Sequence, residues 1–80
     1  MTDNEKLAAA LQKMAEIAMG TSKATMFLGH SRDWFVRAMQ EAARIIKESQ
    51  TNVPFQSECP GCKKKITVAY VNGQRRVKWG

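Results

Sequence analysis

Apolar residues recur at helical spacing through the first part of the chain. One set is spaced by four, three and four residues, which places it on a single helix face: Leu7, Leu11, Met14 and Ala18. Asp3 or Asn4 can cap the start of such a helix, and Gly20 can end it. The pattern predicts a helix over about residues 4–19.

Two further helices are predicted before residue 50. A short one, capped by Thr21 or Ser22, runs to Leu28, and a longer one runs from a cap at Ser31 to about Ser49. Gly29 interrupts the chain between them. The longer helix gathers its apolar residues on one face: Phe35, Met39, Ala42 and Ile46, with Ala38 and Ile45 beside them.

Strand-forming residues and turn signals replace the helical spacing after residue 50. Residues 66–71 and 74–79 flank Asn72-Gly73, which predicts a hairpin with a type I′ turn. A two-residue turn pairs Val68 with Val77 and divides the side chains between two faces. One face holds Ile66, Val68, Tyr70, Val77 and Trp79, and the other Lys65, Thr67, Arg76 and Lys78. Residues 53–57 are a candidate third strand, which Pro54 would confine to an edge.

These patterns predict an α+β fold. A three-helix, helix-turn-helix-like unit over residues 1–50 is followed, over residues 51–80, by a basic β-hairpin or a small three-stranded antiparallel sheet that carries a cysteine knuckle. We expect the two parts to form one compact domain, because a chain of 80 residues builds only a small core.

The same two parts of the chain also differ in net charge. The chain has 13 Lys and Arg against 7 Asp and Glu, a net charge of +6. Residues 1–50 have a balance of +1 and residues 51–80 a balance of +5. A basic block favours a polyanionic partner, either DNA or another nucleic acid, or an acidic protein surface, whereas the alternative is a solvated tail.

The turn between the second and third predicted helices carries a resemblance. Leu28-Gly29-His30-Ser31-Arg32 resembles the helix-turn-helix of small phage and bacterial DNA-binding proteins, including excisionase-like ones, over residues 22–40. Thr25 stands where that family usually has a small alanine. The resemblance implies that the helix from Ser31 reads the major groove, with Arg32, Asp33, Val36 and Arg37 facing it. The alternative is a plain helical hairpin with a kink at residues 29–30.

Both cysteines lie in Cys59-Pro60-Gly61-Cys62. This spacing suits zinc, redox cycling or a strained disulfide, although the strand predicted after it disfavours a thioredoxin-type site.

The knuckle and hairpin resemble one half of a zinc ribbon over residues 53–80, without the second cysteine pair of that family. Two cysteines cannot complete a zinc shell. The remaining ligands would be His30 with a carboxylate, or the same pair from a second chain; a metal-free relic is the third alternative. We expect Lys63–Lys65 to lower the thiol pKa values.

Neither catalysis nor membrane insertion is indicated. The single His has no acid–base partner identifiable by spacing, and there is no Gly-rich phosphate loop, so we expect a protein that is not an enzyme. No apolar run approaches a membrane-spanning length, and the start of the chain is acidic and polar. We expect a soluble cytoplasmic protein, in the host cell if it is phage-encoded.

The sequence therefore predicts a small nucleic-acid-binding regulator of phage or mobile-element type. Arg32 and Arg37 would read bases, and phosphates would be held by Lys63, Lys64, Lys65, Arg75, Arg76 and Lys78. The alternative is a phage-type inhibitor that docks its basic hairpin on a host or defence protein, with Trp34, Tyr70 and Trp79 as partner-binding residues. A homodimer through the Leu7 face is compatible with both.

Overall fold

A computed structural model describes residues 3–49, 55–71 and 74–79. In chain order the elements are helix α1 (Asp3–Gly20), strands β1 (Met26–Phe27) and β2 (His30–Ser31), helix α2 (Arg32–Ser49), and strands β3 (Phe55–Glu58), β4 (Lys65–Val71) and β5 (Gln74–Trp79). The fold is α+β, as the sequence predicts.

The two long helices form an antiparallel pair that supplies most of the core. Both predicted apolar faces are confirmed: they are buried against each other and against β4, and they comprise Leu7, Leu11, Met14, Ala18, Phe35, Met39, Ala42 and Ile46. The Asn4 side-chain amide donates a hydrogen bond to the Ile46 carbonyl at 3.5 Å and joins the start of α1 to the end of α2. Ile45, expected beside the apolar face, is exposed instead. The face that a homodimer would have used is therefore buried within the chain.

The three-helix unit is wrong. Residues 21–28, expected to form the middle helix, contain a turn and strand β1, and the described part of the chain has two helices. Strand β1 pairs with β2 in an antiparallel hairpin, with Met26 opposite Ser31 and Phe27 opposite His30. The helix-turn-helix arrangement expected around Gly29 is replaced by this short hairpin.

Backbone geometry and packing explain the hairpin. Leu28 and Gly29 both have positive φ, 52° and 78°, as the two-residue turn of a hairpin requires. The turn lets the Phe27 ring pack on the Phe35 ring with centroids 4.6 Å apart. A helix of about eight residues gains little by itself, so these tertiary contacts determine the conformation.

The C-terminal sheet has the order β3-β4-β5 with both pairs antiparallel. The predicted register is confirmed, with Val68 opposite Val77 and Ile66 opposite Trp79. The candidate third strand is confirmed as edge strand β3, over Phe55–Glu58; the expected turn at Asn72-Gly73 and residues 53–54 lie outside the described residues. Ile66 and Val68 are buried, so this face of the sheet packs on the helices and the other face is turned to solvent.

Neither α1 nor α2, the helices within the described ranges, combines the length and the apolarity that crossing a membrane requires.

Replacing Gly29 with Ala tests the β1–β2 turn. Because Gly29 has φ of 78°, a Cβ there should cost about 1–2 kcal/mol of unfolding free energy, measured by urea denaturation. Gly20→Ala is the matched control: apart from its chain neighbours and the backbone of α1, no described atom lies within 4 Å of its Cβ position, so we expect a change within about 0.5 kcal/mol. Equal effects of the two substitutions would contradict the hairpin turn.

Candidate metal centre and basic sheet

The β1–β2 hairpin and the cysteine knuckle bring three potential metal ligands together. His30, Cys59 and Cys62 each offer a ligand atom, and these atoms all lie within 4.8 Å of one another. His30 Nδ1 is 3.4 Å from Cys62 Sγ. Of the ligand sets that the sequence leaves open, the structure supports His30 with the cysteine pair, and no carboxylate that it describes joins the group.

The spacing of these atoms suits a tetrahedral ion. Bonds of about 2.3 Å for Zn–S and about 2.0 Å for Zn–N place a sulfur and a nitrogen about 3.5 Å apart at the tetrahedral angle. The observed separation of 3.4 Å between His30 Nδ1 and Cys62 Sγ agrees with this value. Two thiols and an imidazole are donors that select zinc over magnesium or calcium.

Backbone hydrogen bonds shape the knuckle that carries the cysteines. The Lys63 amide donates to the Cys59 carbonyl at 2.8 Å, and the Cys59 amide donates to the Lys64 carbonyl at 2.9 Å. Lys63 has φ of 59°, a left-handed conformation that completes the tight loop before β4 begins at Lys65. Both cysteines are free thiols. The strand after the knuckle agrees with the sequence argument against a thioredoxin-type site.

His30 is enclosed by both tryptophans of the chain. Its exposed fraction is 0%. The Trp34 ring stacks on the imidazole at a centroid distance of 4.6 Å and 28°, and the Trp79 ring is tilted against it at 6.1 Å. His30 Nε2 is buried and has no hydrogen-bond partner among the residues that are described. Trp34 and Trp79, predicted to bind a partner, therefore contact the histidine; the Tyr70 side chain lies outside the described part.

A lysine lies beside this enclosure. Lys64 Nζ is 5.9 Å from the centroid of the Trp79 ring and 3.5 Å from the position that a Cβ would occupy on Gly29. The Lys64 side chain therefore reaches the β1–β2 turn at the residue before His30. The sequence predicts Lys64 as a phosphate-binding residue of the basic block and as a cause of lowered thiol pKa values, whereas its place at this turn depends on the tertiary packing.

The knuckle favours the thiolate form of Cys59. The backbone N–H of Cys62 is the largest cause and the His30 side chain the next, and together they lower the pKa of Cys59 from 9.0 to about 6, although burial opposes them. The prediction of a lowered thiol pKa holds for Cys59, but hydrogen bonds produce it rather than the charges of Lys63–Lys65.

The basic residues predicted to bind nucleic acid fall on three parts of the surface. Strand alternation and register place Lys65, Arg76 and Lys78 on the solvent face of the sheet. Lys63 and Lys64 lie in the knuckle, and Arg75 lies on β5 opposite Tyr70. All six of these side chains are exposed.

The two arginines assigned to base reading lie on α2. Together with Met19, Asp33 and Val36, Arg32 and Arg37 line a shallow groove between the end of α1 and the start of α2. Arg32 Nη1 donates a hydrogen bond to the Thr21 carbonyl at 3.0 Å, which ties the α1–β1 connection to the start of α2. Arg32 therefore has a structural partner, and Arg37 remains exposed.

Comparisons with known proteins find no relative of this chain. No family model matches the chain, and neither the curated proteins nor the solved structures contain a match.

A pH titration of the metal-free protein tests the cause of the Cys59 shift. Because its pKa is lowered, the thiolate should be half-formed at about pH 6, as measured by its ultraviolet absorbance. The stability that it contributes is full above the unfolded value of 9.0 and is lost as the pH falls through about 6. Cys59→Ser should remove this transition.

Cys62→Ser provides the control for that titration. It retains the backbone N–H that is the largest cause of the shift, so the remaining thiol should still titrate well below 9.0. A midpoint close to 9.0 in the Cys62→Ser variant would contradict the proposed cause.

Proposed function

We propose that the chain is a small zinc-binding module that binds DNA through the basic face of its C-terminal sheet and knuckle. The observation that carries the DNA-binding part is the set of exposed cations between residues 63 and 78. The one acidic residue after position 50, Glu58, lies opposite Lys65 in the register of β3 and β4. The excess of positive charge therefore remains available to phosphates.

The arrangement of these cations supports contact with the nucleic-acid backbone. Lys65, Arg76 and Lys78 share one sheet face, and their neighbours there include Gln56, Glu58, Thr67 and Ala69. Among the described residues, Arg44 forms salt bridges with Glu41 and Glu48 on α2, and none involves the three sheet cations. Because this face offers amide and hydroxyl groups rather than aromatic rings for base stacking, we expect backbone contacts with little sequence preference.

The zinc part of the proposal is supported by the donor atoms and by the state of His30. The ring is buried and its Nδ1 already lies 3.4 Å from Cys62 Sγ, so both atoms can bind one ion with little rearrangement. Since β1–β2 and the knuckle are far apart in sequence, a bound ion would join the helical part to the sheet. The ion would therefore stabilise the surface that carries the cations.

DNA binding should depend on the position of the charges as well as on their number. We expect labelled duplex DNA to bind in a fluorescence-anisotropy titration at low salt, with affinity that falls steeply as salt is added. Changing Lys65, Arg76 and Lys78 together to Gln should lower the slope of log affinity against log salt by about 2–3.

The matched control removes three exposed charges from the helices, at Lys6, Lys13 and Lys47. It has the same net charge as the sheet variant, and its slope should remain close to that of the wild type. Equal losses in both variants, or no binding by the wild type at low salt, would overturn the DNA-binding proposal. The second result would favour an acidic protein surface as the partner.

Zinc should bind with one ion per chain and raise the unfolding temperature. At zinc concentrations 100 to 1,000 times the dissociation constant, the gain in unfolding free energy should be about 3–4 kcal/mol, because the ion binds the folded form. Elemental analysis gives the stoichiometry, and thermal unfolding with and without a chelator gives the shift.

Two single substitutions compare the loss of a zinc ligand with a change at a residue that only lies beside the knuckle. Cys62→Ser removes a half-buried ligand and should abolish the zinc-dependent shift, whereas Glu58→Gln changes an exposed residue beside the knuckle and should retain it. A full zinc-dependent shift in Cys62→Ser, or no bound zinc in the wild type, would contradict the proposed centre.

A further inference from the structure

The proposed zinc centre has one coordination position that the side chains described above do not fill. Zinc in proteins takes four ligands, and three converge here. The 80 residues contain one His and two Cys, so the nitrogen and sulfur donors of this kind are used up. The carboxylate nearest in sequence, Glu58, is exposed and lies outside the group.

The centre is most accessible on the side of Cys62. His30 and Cys59 are buried, with exposed fractions of 0% and 3%, whereas Cys62 is half-buried. The tryptophan rings cover the imidazole, as described above. A ligand from solution would therefore reach the ion past Cys62 and the knuckle.

Lys64, two residues after Cys62, has an ammonium group without a carboxylate partner among the described residues. Its Nζ is 5.9 Å from the centroid of the Trp79 ring and 3.5 Å from the position of a Cβ on Gly29, the residue before His30. The Cys59 amide binds the Lys64 carbonyl, which fixes the lysine backbone to the knuckle. The position of this cation is therefore set by the same loop that carries the thiols.

The charge balance favours an anion at the open position. A zinc ion with two thiolates and a neutral imidazole is formally neutral, so Lys64 and its neighbours Lys63 and Lys65 are not compensated by the centre. Zinc also accepts oxygen ligands, and a lysine ammonium is a common phosphate-binding group. A phosphate oxygen satisfies the metal and the ammonium together.

We infer that the centre is a phosphate-binding site, in which a phosphate oxygen occupies the fourth position of the metal and the Lys64 ammonium neutralises the phosphate. This inference rests on the proposed zinc site and extends it. The phosphate comes from one of two sources with the same chemistry, free inorganic phosphate or the backbone of a bound nucleic acid.

Cobalt substitution of the full chain tests the inference. Bound Co²⁺ gives a thiolate charge-transfer band that reports occupancy and d–d bands that report the ligand set and geometry. We expect one Co²⁺ per chain and a saturable change in the d–d bands when inorganic phosphate is added. Lys64→Gln should weaken phosphate binding about tenfold or more without loss of the charge-transfer band. Lys13→Gln, an exposed change on α1, should leave phosphate binding as it is.

A short duplex DNA, titrated in phosphate-free buffer, distinguishes the two sources. A change in the d–d bands with DNA identifies the backbone phosphate, and a change with inorganic phosphate alone identifies the free anion. Absence of the charge-transfer band would overturn the zinc proposal and this inference together. Bound cobalt with d–d bands that neither probe alters would overturn only the inference, as would one Co²⁺ per two chains. Equal phosphate affinity in Lys64→Gln and wild type would also overturn it.

Discussion

The imidazole of His30 has no access to solvent, so both its nitrogens depend on partners inside the protein. The β1–β2 hairpin places Nδ1 against Cys62, and the two tryptophans close over the ring. Helix α2 begins two residues later, and the Trp79 ring comes from the last strand. The histidine therefore lies where the helical part, the knuckle and the sheet meet.

This location makes the two parts of the chain depend on each other. The helices bury one face of β4 through Ile66 and Val68, which is an apolar contact without strong directionality. The His30 group adds contacts of defined geometry among the β1–β2 hairpin, the knuckle, α2 and β5. A metal ion there would fix the orientation of the sheet on the helices, because coordination requires specific distances and angles that apolar packing does not.

Much of the fold follows from local sequence signals. The spacing of Leu7, Leu11 and Met14 identifies α1, and the Asn-Gly pair in the sequence predicts the observed register, in which Val68 lies opposite Val77. The β1–β2 hairpin could not be predicted in this way. Its turn contains Leu28 in a left-handed conformation that leucine rarely adopts, and the packing of Phe27 on Phe35 stabilises it. Tertiary contacts thus override a pattern that is typical of a short helix.

The candidate site also contains a part that local sequence predicts and a part that only the tertiary structure reveals. The two cysteines are neighbours in sequence, so their spacing alone predicts a shared ligand. His30 is 32 positions from Cys62, and only the fold shows that its ring reaches the knuckle. The stacking of Trp34 on His30 and the position of Lys64 over Trp79 also arise from packing. The helix-turn-helix in which the α2 arginines were expected to act is not formed, because the β1–β2 hairpin replaces the middle helix.

Strand β5 is an open edge of the sheet, and all six of its residues are exposed. An edge of this length has unpaired backbone groups to which another chain can add a strand, and proteins commonly prevent this with charged side chains. Arg75, Arg76 and Lys78 place three positive charges along β5, so two such edges repel each other. The cations that give the sheet its basic character therefore also protect the protein from edge-to-edge aggregation.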